Sequence, residues 1–357
     1  MNRGAYVGML VLCALASCTS TQEKPPTESG DSAFDSAPVE TGHSEESGES
    51  GSAESADSAQ PDSDSGPPDD TDTGTGAPNA WAQINLYGNT ACAITNHGDG
   101  ACWGYDRCGE AGIPAVKFGE VSLGLEFGCG LDPEGTASFW GLTCPDSDLG
   151  ETHPPAGRFH ALRAGWRAPC ALDEANEIHC WGYLPGAMAL VPVGAFLVAE
   201  TGGYFACGLD EAGYIECWGK TADIPSAILD APSTSGFTAL SVGTDYACAL
   251  QSDGAAVCWG DTGYTVLAVP ERVLFSSISA GYYAVCGITL DGGLECWGGG
   301  DDDYISDPVI LENPGGSGWA EVSVGSGTAC ALTTEAEIVC WGQKGYGLEK
   351  IPELPEE

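Results

Sequence analysis

Ser241-Val242-Gly243, with Cys248-Ala249-Leu250-Gln251-Ser252-Asp253-Gly254-Ala255-Ala256-Val257-Cys258-Trp259-Gly260 close behind, is one unit of a pattern that fills most of the chain. Its Trp-Gly marker returns at Trp103, Trp140, Trp181, Trp218, Trp259, Trp297 and Trp341, with gaps of 37, 41, 37, 41, 38 and 44 residues. A period near 40 marks a propeller or solenoid. With the first Cys of a unit as position zero, +1 is always Ala or Gly and +2 always Leu or Ile. Gly stands at −5 in six units and at +6 in five, where Asn176 and Ala336 replace it in the other two. A residue able to take positive φ at +6 is what a three-residue hairpin loop with a bulge needs. That loop sets position zero opposite +10, where the second Cys falls. Directly opposed residues are close enough for a disulfide. Six hairpin disulfides are therefore expected: Cys92–Cys102, Cys170–Cys180, Cys207–Cys217, Cys248–Cys258, Cys286–Cys296 and Cys330–Cys340. Each ring is worth about 2.7 kcal/mol on the chain-entropy model.

With a small residue at +1 and an aliphatic one at +2, both faces of each little sheet are apolar. The sheets must then stack on one another, which four-stranded blades around an axis achieve while leaving only short edges. The Trp is expected to pack between blades.

The 357-residue chain carries 52 Asp+Glu against 11 Lys+Arg, a net charge of −41. Such a chain does not bind nucleic acid or an anionic membrane through its own field. Its 17 cysteines argue for an oxidising compartment, since no CxxC pair or Cys/His cluster offers a metal site. Arg3 and the apolar run from Ala5 to Ala16 read as a signal peptide over residues 1–17. Leu15-Ala16-Ser17-Cys18 resembles the bacterial lipobox, which implies that Cys18 is acylated and anchors the mature chain to a membrane. No later stretch approaches the length of a membrane-spanning helix. Residues 18–80 are Ser, Thr, Gly, Pro, Ala and acidic residues with Phe34 as the one aromatic, so they read as a disordered tether. The repeats occupy 81–357, with 37 acidic residues and nine basic ones.

Val-Gly, then Cys-Ala-Leu-x-x-Asp-Gly-x-x-x-Cys-Trp-Gly, resembles the repeat of the regulator of chromosome condensation (RCC1) family. The resemblance implies an all-β, seven-bladed propeller, and the Cys pair in each unit is similar to exported bacterial members. The Asn-x-x-Gly-Gln-Leu-Gly that follows Trp-Gly in the family is mostly missing; fragments survive at Gly109-Glu110-Ala111-Gly112 and Gly345-Tyr346-Gly347-Leu348. No functional residue is carried over, because the family's exchange activity needs an intracellular GTPase.

Unit two breaks the rule. Phe139 stands where the partner of Cys129 would be, and Cys108 and Cys144 are extra. Cys108–Cys144 between adjacent blades is the preferred pairing, which leaves Cys129 as a buried thiol; Cys129–Cys144 is the alternative. The segments after each Trp-Gly vary in length and are the expected binding loops. Their candidates are Tyr183, Tyr264, Tyr304 and Tyr346 as aromatic anchors and Asp301-Asp302-Asp303 as an acidic cluster. No catalytic constellation, metal set or phosphate loop is present in the sequence, and no cofactor is implied. The expected function is a monomeric, lipid-anchored binding module of the bacterial envelope, at the outer membrane or cell surface, presenting propeller loops to a protein or glycan. A structural envelope protein without a discrete ligand is the alternative.

Overall fold

The computed structural model describes residues 78–355 apart from 145–147, 220–225, 262–264 and 300–307. Over this span the chain forms seven three-stranded antiparallel sheets, each built from consecutive strands with the second in the middle. The fold is a seven-bladed β-propeller. The first strand of each blade lines the axis. These inner strands are Trp81–Tyr87, Glu120–Gly124, Phe159–Ala164, Phe196–Thr201, Phe237–Val242, Phe275–Ala280 and Trp319–Val324. The ring closes between the last blade and the first. Trp81, Ile84 and Leu86 share a core with Leu332 and Ile338, and Ile84 N–H donates to Glu321 Oε2 at 2.9 Å.

Within each blade the middle and outer strands form the hairpin on which the sequence pattern turns. Cys248 lies opposite Cys258 and Leu250 opposite Ala256. Gln251 and Ala255 then close a three-residue loop, with Gly254 at φ 88°. Asn176 and Ala336 hold the same place at φ 63° and 64°, so two side chains sit where glycine is unstrained. All six hairpin disulfides are present, Cys108 is bonded to Cys144, and Cys129 is a buried free thiol. Cys129 faces Phe139 across the hairpin and donates to the carbonyl of Ser122 at 3.2 Å. Burial pushes its thiol far above the usual range, which favours the protonated form.

The structure corrects the expectation of four strands per blade. After Trp-Gly the chain is rich in Gly and Pro, and among the described residues it makes short 3-10 turns, as at Ser226–Ile228 and Thr265–Leu267, instead of a fourth strand. These segments are pinned by the next blade. Trp259 Nε1 donates to Ile228 O at 3.1 Å, Trp297 Nε1 to Val266 O at 2.9 Å, and Trp103 Nε1 to Leu348 O at 3.0 Å. The indole thus takes over the joining role that an outer ladder would have had.

The small residue at +1 has a cause that the hairpin pattern alone does not disclose. Every unit carries an aromatic residue at −11: Trp81, Phe118, Phe159, Phe196, Phe237, Phe275 and Trp319. A Cβ on Gly130 or Gly287 would lie 2.5 Å from the ring of Phe118 or Phe275 in the same blade. Phe118, Phe159 and Phe275 also pack on the Trp of their own blade, with centroids 5.2–5.9 Å apart. Position +1 is therefore small because an aromatic of the same sheet lies across it.

Candidate binding face and channel

The two ends of the propeller differ in kind. One carries the tight hairpin loops. The other carries the turns between inner and middle strands, and the segment after Trp-Gly is tied to the same end. Tyr105 N–H donates to Asn89 O at 2.8 Å, Tyr183 N–H to Arg167 O at 2.9 Å, and Gln343 N–H to Gly327 O at 2.8 Å. The variable loops and the inner turns thus share one face.

Of the loop residues singled out from sequence, Tyr183 and Tyr346 lie on this face and are 38% and 37% exposed. Tyr264, Tyr304, Asp301, Asp302 and Asp303 fall outside the described residues, as do Cys18 and the tether up to residue 77. Tyr183 and Tyr346 belong to separate aromatic groups. Tyr346 meets Tyr105 edge-on at 6.1 Å. Tyr183 meets Trp166 at 6.0 Å, and Trp166 meets Tyr204 at 4.7 Å. A third group, Tyr87, Tyr282 and Tyr283, stands at the channel mouth, with centroids 5.7 and 5.9 Å apart.

Trp166, Tyr204, Tyr282 and Tyr283 escaped the sequence reading, which looked for aromatics after Trp-Gly. They sit at −4 and −3, just past the −5 glycine, in three of the seven units. The backbone around them is fixed by contacts between neighbouring turns. Leu125 N–H donates to Trp166 O, Trp166 N–H to Gly202 O and Gly203 N–H to Thr244 O. The −5 glycine permits this approach, since a Cβ on Gly202 would lie 2.5 Å from Gly243 O. Arg167 lies over Trp166 at 5.9 Å. Its guanidinium bonds Glu126 at 3.0 Å and the fully buried Glu151 at 3.4 Å. The result is a rigid Trp-Arg-Tyr platform.

Below the face runs the central channel, a cavity of about 260 Å³ walled by inner strands. Position −7 is polar in every blade: Asn85, Ser122, Arg163, Glu200, Ser241, Ser279 and Ser323. Most of these side chains accept an N–H from the next blade. Asn85 takes Leu123 N–H at 2.8 Å, Ser122 takes Ala164 N–H at 3.0 Å, Ser241 takes Ala280 N–H at 2.9 Å and Ser323 takes Leu86 N–H at 2.8 Å. Arg163 departs from this use and bridges Glu200 at 2.9 Å and Glu120 at 3.4 Å. Burial raises the Glu200 carboxyl above the usual carboxylate range against the pull of Arg163. Glu321 has no ion-pair partner among the described residues, and burial pushes it up to about 7 although Ile84 N–H and Arg163 act against the rise. The mouth is narrowed by Tyr87, the one residue at −5 that is not glycine, whose hydroxyl accepts from Tyr282 Oη at 3.2 Å.

No family model and no curated protein matches the sequence. Solved structures do. The ectodomain of the Arabidopsis thaliana receptor kinase ACR4 is 22% identical over 78% of this chain and all of that one, with a TM-score of 0.60. The Physcomitrella patens receptor kinase CR4 ectodomain is 22% identical, covering 74% of this chain and 73% of that one, with a TM-score of 0.57. Prp20p of Saccharomyces cerevisiae, the yeast RCC1, is 16% identical over 74% of this chain and 82% of that one, with a TM-score of 0.54. At these identities the likeness establishes an RCC1-like propeller fold.

Proposed function

We propose that this chain is an extracytoplasmic binding module, anchored through a lipid on Cys18, raised on the 18–80 tether, and docking a protein partner on the aromatic end of its propeller. The observation that carries the reading is the Trp166–Arg167–Tyr204 platform with Tyr183 at its edge. Trp, Tyr and Arg are the residue types on which binding energy concentrates. Here they are held by turn-to-turn hydrogen bonds and ion pairs, so little side-chain freedom is left to lose on docking. Seven disulfides suit an oxidising compartment. Among the described residues no helix is long and apolar enough to cross a membrane. The structural neighbours support an exposed and protein-facing role: two are receptor-kinase ectodomains, and Prp20p is described with binding to Gsp1p and histones.

The experiment is affinity capture from envelope extract with the wild-type chain and the Trp166→Ala/Tyr204→Ala double variant. The wild type is expected to retain a saturable protein partner, and the variant to lose it by tenfold or more while keeping its melting temperature. Retention of glycan alone would move the reading to a carbohydrate ligand. Absence of any saturable partner would leave a structural envelope role.

A further inference from the structure

The channel wall is not uniform around the ring. In blades one, two and seven a long polar side chain stands at −9. Gln83 accepts Val121 N–H at 3.0 Å, Glu321 accepts Ile84 N–H at 2.9 Å, and Glu120 accepts Leu162 N–H. At the same register blades four, five and six carry Val198, Ala239 and Ser277. Val198 and Ala239 have no acceptor, and the Ser277 hydroxyl finds no partner in its buried position. The N–H groups of Leu240, Ile278 and Val322, which line the cavity at the level equivalent to Ile84, therefore receive no side-chain acceptor. Two carboxylates border this arc. Glu200 is shared with Arg163, whereas Glu321 offers Oε1 with no protein donor among the described residues.

The arc thus presents backbone donors beside a Glu321 carboxyl oxygen that no protein donor meets among the described residues. Polar groups so placed cost stability unless something meets them. A bare metal ion does not suit it, because among the described residues no three ligating side chains converge. A cavity of about 260 Å³ lies just below the range for drug-sized ligands.

We infer that the channel wall of blades five to seven binds a small amino alcohol, with a primary ammonium against Glu321 and neighbouring hydroxyl oxygens on the N–H groups of Leu240, Ile278 and Val322. The ammonium supplies donors to the Glu321 carboxylate. The hydroxyls accept from the backbone. This site is distinct from the aromatic platform and does not depend on what docks there.

Isothermal titration of the full chain at pH 8 with three probes tests it: glucosamine, glucose and 1,4-diaminobutane. Glucosamine is expected to bind saturably, and glucose and diaminobutane each at least about tenfold more weakly, because each lacks one half of the match. Glu321→Gln should weaken glucosamine by about tenfold or more. No saturable heat with glucosamine up to about 50 mM would overturn the inference. Equal binding of glucose would also overturn it, as would glucosamine binding untouched by Glu321→Gln. The comparison of probes on the wild type decides the matter even if the variant does not fold.

Discussion

Replacing Glu321 with glutamine isolates the cost of placing a charge on the channel wall. The folded carboxyl titrates at about 7, against an ordinary value of 4.5. The native state therefore holds this proton more tightly than the unfolded chain does. Stability from the group is complete below pH 4.5 and is lost as the pH rises through 7. A displacement of about 2.5 pH units corresponds to roughly 3 kcal/mol once both states are ionised. Glutamine keeps an oxygen for Ile84 N–H and never ionises. At pH 8 the variant should be more stable by about 2–3 kcal/mol, a melting shift of roughly 5 °C for a domain of this size. At pH 4.5 the two proteins should melt together. Arg163 and Glu200 line the same channel in both proteins, and Glu120 pairs with Arg163 in both, so they cancel in the difference. The assay is scanning calorimetry of wild type and variant at both pH values with disulfides intact. A variant that melts below wild type at pH 8, or a difference that does not change with pH, would refute the reasoning.

Three further outcomes follow from local geometry. Ala336→Gly should stabilise by about 0.5–1 kcal/mol, because Ala336 sits at φ 64°; Gly254→Ala at the equivalent φ 88° should cost about 1–3 kcal/mol, since its Cβ would also meet Phe275 O at 2.7 Å, and denaturant midpoints compare the pair. Gly281→Ala should cost at least about 1–3 kcal/mol by driving a methyl group against the Gly325 carbonyl and parting blades six and seven, which a lowered melting temperature reports. Cys18→Ala should release the protein from membranes to the soluble fraction; unchanged fractionation would remove the lipid anchor from the proposal.

The hairpin was legible because its chemistry is written in letters that repeat: Cys at zero and +10, a turn residue at +6, Trp-Gly after it. The blade's third dimension was harder to read. The −11 aromatics recur in all seven units, but they lie outside the Cys-to-Trp core, so the pattern from Cys to Trp does not show what keeps +1 small. The −7 position was hidden for another reason. Asn85, Ser122, Ser241 and Ser323 share polarity and direction, and their common role is visible only once the next blade's N–H groups lie beside them. The binding face was half legible. Tyr183 could be placed on a loop, but its neighbour Trp166 and that residue's partner Tyr204 come from the inner turns of adjacent blades, and only the packing of blade three on blade four brings them together. The expectation of a fourth strand failed because an indole-to-carbonyl bond between blades does that strand's work.

The most direct test of a seven-fold ring built from one forty-residue module is a disulfide map of the oxidised, alkylated protein by mass spectrometry without reduction. The account predicts bonds Cys92–Cys102, Cys170–Cys180, Cys207–Cys217, Cys248–Cys258, Cys286–Cys296 and Cys330–Cys340, the inter-blade bond Cys108–Cys144, and alkylation of Cys129 only after unfolding. A bond from Cys129 to any partner, or hairpin cysteines paired between units, would contradict it.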